Sequence, residues 1–122
     1  MEWLTITEIG RRARSKKGAL EVSYEHWNQL YEAKADELRA AIKNEKVALD
    51  CDHCGLCRHY GWHGCDRCPL EIADYPCHHP NSIYRKASIQ FFFWESGNKN
   101  WWVWKRAAKA LRDKLKELLD AS

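Results

Sequence analysis

Six cysteines fall between Cys51 and Cys77 in the order C-x2-C-x2-C-x7-C-x2-C-x8-C, and the chain has no other. Five of its six histidines, His53, His59, His63, His78 and His79, share that neighbourhood; His26 stands apart. Thiolates in pairs two residues apart are the donors of a soft metal ion. A C-x2-C turn spans one edge of a tetrahedron, and two such turns close the shell of a zinc ion. Cys54 and Cys57 make one turn, and Cys65 and Cys68 the other. Pro69 follows the second pair, where the chain leaves the turn without an N–H to donate.

Six thiols exceed the needs of one four-coordinate ion. The spacing leaves open a single zinc held by four of Cys54, Cys57, Cys65, Cys68 and Cys77. It also leaves open two zincs, with His78, His79 or His63 completing a second site, or six thiols shared by two ions. The fungal two-zinc cluster needs a wider gap after its first pair and is excluded. An iron–sulfur cluster is the remaining alternative, since Cys51, Cys54 and Cys57 begin as bacterial ferredoxins do. There the next cysteine comes three residues later and precedes a proline; here it comes after seven. Among the histidines His79 is the best additional ligand, two residues beyond Cys77; the others read as polar loop residues. Four thiolates saturate zinc and leave no open position, so a structural ion is expected rather than a catalytic one. The zinc-deaminase and H-E-x-x-H patterns are absent from the sequence.

These ligands need elements to hold them. The chain has 122 residues, one compact domain's worth. A core this small benefits from a metal staple. The expected organisation is an N-terminal basic segment over 1–22, a helix over 23–46, a metal-binding loop region over 47–85, and an aromatic segment with a C-terminal helix over 86–122. Thr5 or Thr7 is placed to cap a short helical turn ahead of Glu8, and Arg11 to Gly18 reads as a solvated linker. Ser23 is placed to cap the first long helix, whose apolar residues Trp27, Leu30, Tyr31, Leu38, Ala41 and Ile42 are interrupted at Lys34. Glycines and prolines fill the cysteine segment and leave no hydrophobic period. The run Ile89 to Trp94 fits a buried strand or a helix equally. Trp104, Ala108, Leu111, Leu115 and Leu118 form one apolar stripe on a final helix over 101–119. The fold class is therefore mainly α: two main helices flanking a zinc-stapled loop region, with room for one short strand pair.

The order C-x-L-C, C-x-x-C-P-L, then a lone cysteine with Pro and Tyr resembles a group of small cysteine-rich proteins of tailed phages and prophages. The matching residues are Cys54-Gly55-Leu56-Cys57, Cys65-Asp66-Arg67-Cys68-Pro69-Leu70, and Cys77 with Pro80 and Tyr84. Ser23 and Trp27 ahead of the cysteines and the closing Ala/Leu-rich helix match as well, so the resemblance spans 18–119. It departs at Cys51, which is extra, and over 77–84, where the group has a tighter arrangement. The resemblance implies Cys54, Cys57, Cys65, Cys68 and Cys77 as metal ligands and an origin in a mobile element. It implies no reaction. Accessory proteins of that class act by binding, for example as inhibitors of a host defence system.

Net charge is +3, and the excess lies in 86–122, with eight basic residues against four acidic. Lys105, Lys109, Arg112 and Lys116 recur beside the apolar stripe of the last helix. Trp94, Trp101 and Trp102 cluster nearby, and exposed tryptophan beside basic residues serves both protein hot spots and stacking on unpaired bases. These seven residues are the candidate partner or nucleic-acid contacts. The balance is too mild for a dedicated duplex-DNA binder. No stretch reaches the length of a membrane span, and no secretory signal opens the chain. The expectation is a cytoplasmic, non-enzymatic, zinc-binding module acting on a host protein. The alternatives are a nucleic-acid-binding zinc protein, and an iron–sulfur or metal-dependent enzyme.

Overall fold

The computed structural model describes residues 1–61, 65–97 and 100–122, with Cys65 described in backbone only. Seven α-helices occur among them: α1 (Ile6–Arg12), α2 (Lys16–Glu32), α3 (Ala35–Lys43), α4 (Gly55–Tyr60), α5 (Pro69–Ala73), α6 (Ile83–Glu95) and α7 (Trp101–Asp120). Two 3-10 turns, Cys51–His53 and Cys65–Arg67, precede α4 and α5. No strand is present among the described residues: the mainly α class holds, and helix fills the room left for one short strand pair.

The aromatic run that fitted either structure is α6. Its buried residues Ala87, Phe91 and Trp94 recur at four and three, which is one helical face. Phe91 meets Trp104 at 5.0 Å and Trp94 meets Trp101 at 4.8 Å, so α6 and α7 form an antiparallel hairpin. Two of these rings belong to the core: Trp104 is fully buried, and Trp94 nearly so.

The expected helix over 23–46 is two helices, and the first begins seven residues earlier. Ser15 caps α2 by accepting the Gly18 N–H at 3.0 Å, which draws Lys16 and Lys17 into the first turn. The stretch expected to be a linker is therefore the end of α1, a short joint and the start of α2. Ala33 and Lys34 are extended, with ψ of 141 and 159 degrees, and they break the helix where the apolar pattern was interrupted. The Glu37 carboxylate accepts the Lys34 N–H at 3.0 Å and opens α3. Thr5 is the residue that caps α1.

Helices α2 and α7 pack most extensively of all pairs, and α6 completes the bundle against α7. Their shared core holds Trp27, Leu30, Trp104, Ala108, Leu111 and Leu115. Basic residues of α7 lie over tyrosines of α2: Arg112 stands 4.4 Å from the Tyr31 ring, and Lys105 4.5 Å from it.

His26 of α2 is buried beside the His53 ring, with ring centres 6.1 Å apart. Burial, and then the neighbouring His53, lower its pKa from 6.5 to about 3. The unfolded chain takes up a proton near pH 6.5 that the folded chain refuses until about pH 3. Stability is therefore complete above the unfolded value and falls as pH drops through that window, by a few kcal/mol, at ~1.4 kcal/mol per unit. Urea midpoints measured from pH 7 to pH 4 should fall steeply in the native chain and less in His26→Gln. Parallel curves would show that His26 does not drive the loss.

Candidate metal centre

Hydrogen bonds shape the short elements of the cysteine segment. Cys54 caps α4, its Sγ accepting the Cys57 N–H at 3.4 Å. Cys68 is the N-cap residue of α5 and makes no side-chain capping bond. Pro69 opens α5, where its missing N–H matters least. Cys77 is tied to the start of α6: Ser82 Oγ donates to the Cys77 carbonyl at 2.7 Å and accepts the Arg85 N–H at 2.9 Å. The segment expected to be loop thus contains two short helices and two 3-10 turns, each beginning at or beside a cysteine.

Ser23 does not cap a helix. It lies inside α2, buried, and its Oγ accepts the Leu56 N–H at 3.1 Å. Gly55 rests on the same surface. A Cβ there would meet the Ala19 carbonyl at 2.8 Å and Ser23 Oγ at 2.9 Å, and would also press on Val22. A backbone oxygen cannot step aside, so Gly55→Ala should cost about 1–3 kcal/mol and displace the C-x-L-C turn from α2. Thermal unfolding and metal affinity measured together check this; a variant unchanged in both would refute the close docking.

Five thiols meet at one cavity of about 390 Å³: Cys51, Cys54, Cys57, Cys68 and Cys77 line it, with Trp27, Tyr84 and His78 among its walls. The Cys57 N–H donates to the Cys54 sulfur. The neighbouring Cys54 thiol, then burial, push the Cys57 pKa up. Burial first, then Cys57, raise that of Cys51. Burial raises that of Cys68. The Tyr84 phenol is pushed up by burial and by the thiols of Cys54, Cys57 and Cys77. Thiols placed this way oppose one another's ionisation, and a cation among them would reverse that opposition. Cys51, Cys54, Cys57 and Cys68 carry no disulfide. Among the described residues no group of three or more Cys, His, Asp or Glu side chains is arranged to hold an ion. The side chain of the candidate ligand Cys65, and all of His63, lie outside the described residues.

The structure redistributes the other candidates. His79 is stacked on Tyr75 at 4.5 Å, and its Nδ1 accepts the Asn81 N–H at 3.0 Å, so it shapes its own loop. His78 lines the cavity instead. His59 bonds the Ala13 carbonyl at 2.8 Å, and buried His53 bonds Asp50 at 2.7 Å. Cys51 was set aside as extra, although its spacing to Cys54 repeated that of Cys54 to Cys57. That repeat was the available signal.

The candidate contact residues separate into core and surface. Trp94 is buried, with the Arg39 guanidinium 4.4 Å over its ring. Trp101 is half-buried against it, while Trp102 is 66% exposed. Lys105 donates to the Ala33 carbonyl at 3.3 Å. Arg112 donates to Asn28 at 3.1 Å and pairs with Asp113 at 3.0 Å. Lys109 pairs with Asp113 at 2.7 Å, and Lys116 with Asp120 at 3.0 Å. The basic stripe is thus partnered within the fold. No described helix is long and apolar enough to cross a membrane. Comparisons with protein-family models, with curated proteins and with solved structures find no match for this chain.

Proposed function

We propose that the chain is a small metal–thiolate binding module, stapled by zinc and acting on a partner rather than catalysing a reaction. The observation that carries this reading is the convergence of thiols from four separate segments on one cavity. The donors fit a soft ion: they are thiols, and a backbone N–H already points at the sulfur of Cys54. Cys54, Cys57, Cys68 and Cys77 would hold zinc from the cavity walls, with Cys65 as the fifth candidate. Zinc there would supply a cross-link between segments that bury little apolar surface of their own. Metal analysis of the purified full chain should find zinc bound stoichiometrically; a folded chain free of any metal would refute the reading.

A protein partner in the cytoplasm of a bacterial host is the favoured target. The resemblance to phage and prophage accessory proteins supports that class. The exposed apolar side chains of Phe92 and Trp102, each 66% exposed near the turn between α6 and α7, supply the kind of contact a protein interface uses. Trp102→Ala should leave thermal stability within about 0.5 kcal/mol, since the ring buries little. It should also abolish retention of a partner from host lysate; undiminished retention would exclude this surface. The nucleic-acid alternative requires binding that weakens steeply with salt. Internal pairing of Lys109, Arg112 and Lys116 favours the protein reading.

A further inference from the structure

We propose, resting on the metal–thiolate reading above, that helix α1 is a strap latched by the C-x-L-C turn: it docks when the thiols of that turn hold metal and lets go when they are empty. The latch is made by two consecutive residues, Arg58 and His59, which follow Cys57 directly in α4. Arg58 donates to the Ile6 carbonyl, at the start of α1, at 3.4 Å. His59 Nδ1 donates to the Ala13 carbonyl, just past the end of α1, at 2.8 Å. That carbonyl is one of the acceptors a helix leaves unsatisfied at its C-terminus. Between the two points the Arg58 guanidinium lies against Gly10, where a Cβ would collide with it. The same guanidinium donates to the Asp52 carbonyl at 3.4 Å and joins α1 to the Cys51–His53 turn. The Arg58 bonds are long and the His59 bond is short; together they clasp α1 from end to end.

Neither partner of this clasp persists alone. Helices α1 and α4 have seven and six residues, well below the length at which a helix is stable in water. Helix α1 packs on α4, on α2 and on the Cys51–His53 turn. Helix α4 is seated on α2 through Gly55 and the bond from the Leu56 N–H to Ser23. Cys54 caps α4 and Cys57 lies in its first turn. An ion held by these two thiols, whatever its other ligands, would fix the turn from which Arg58 and His59 reach out.

Loss of the latch would free a segment whose Ile9 and Ala13 are buried in the docked state, and would bare the apolar surface they cover. The cysteines thereby control an apolar site outside their own cavity. Such coupling is reciprocal: a change that loosens α1 weakens metal binding by the same factor that metal tightens α1.

Hydrogen exchange of the unmodified full chain, with its metal content measured first, tests the strap. After chelation, amides over 6–13 should exchange at least about tenfold faster, together with those over 54–60. If 54–60 loses protection while 6–13 keeps it, the strap is overturned and the metal–thiolate reading stands. Unchanged exchange in both segments overturns the strap as well, and a chain that takes up no zinc overturns both. Zinc affinity, read by competition with a coloured chelator, tests the reverse direction. Arg58→Ala combined with His59→Ala should bind zinc at least about fivefold more weakly. Because that pair sits in α4 itself, Ile9→Ala is the second variant: it loosens α1 without touching the cysteine segment and should also weaken zinc binding. Leu111→Ala, in the bundle, should leave zinc affinity unchanged. Native zinc affinity in an Ile9→Ala chain whose α1 exchanges faster would show that α1 and the thiols are independent.

Discussion

Stripping the metal from the purified chain should unfold its middle and leave its helical bundle partly formed. Structural zinc sites contribute about 10–16 kcal/mol in small peptides at neutral pH. A whole domain is stable by only about 5–15 kcal/mol. The cysteine segment has little else to hold it: Leu56 and Leu70 are its buried aliphatics, in helices of six and five residues. Helices that short are not stable alone. The bundle is better supplied, since α2, α6 and α7 share Trp27, Leu30, Phe91, Trp94, Trp104 and Leu111. Hydrogen exchange before and after chelation should therefore show protection lost over 51–61 and 65–82, with α2 and α7 retaining more of theirs. Cys54→Ser with Cys57→Ser should reproduce the pattern. Unchanged exchange after complete removal of metal would mean that packing alone orders the segment.

Trp104→Ala should be the most damaging single substitution in the bundle, costing about 3–5 kcal/mol. The ring is fully buried and stands between helices, 6.1 Å from Trp27 of α2 and 5.0 Å from Phe91 of α6. Its removal opens a cavity where α2, α6 and α7 meet. Trp104 Nε1 has no hydrogen-bond partner among the described residues, so the indole contributes volume rather than a bond. Trp104→Phe should therefore cost less than half as much, because it keeps most of the volume and removes a buried donor. Urea unfolding of the two variants checks both numbers. If Phe proved as damaging as Ala, the indole N–H would have to be bonded after all.

The two predictions divide the chain as its sequence does. Heptad-like recurrence of Trp104, Ala108, Leu111 and Leu115 was enough to place α7, because one buried stripe at helical spacing has one solution. The aromatic run of α6 was ambiguous, because every residue from Phe91 to Trp94 is apolar and a continuous run has no period. Only the hairpin with α7 selected the face made by Ala87, Phe91 and Trp94. Ser23 shows a different limit. A serine ahead of an apolar run reads as a cap, yet Ser15 takes that place and Ser23 holds the Leu56 N–H instead. A contact between residues 23 and 56 leaves no local mark. The basic stripe of α7 was legible, and so were Asp113 and Asp120, which dilute it one helical turn away; its placement over the tyrosines of α2 was not.

Amino-acid order by itself determined the mainly helical class and the span in which the thiols gather, since side-chain type and local spacing carry both. Tertiary structure alone decided which sulfurs share a cavity, that Cys51 is among them, which tryptophan faces water, and that Lys105 and Arg112 lie over Tyr31. Those are distances between residues remote in the chain, and they exist only once the helices have packed.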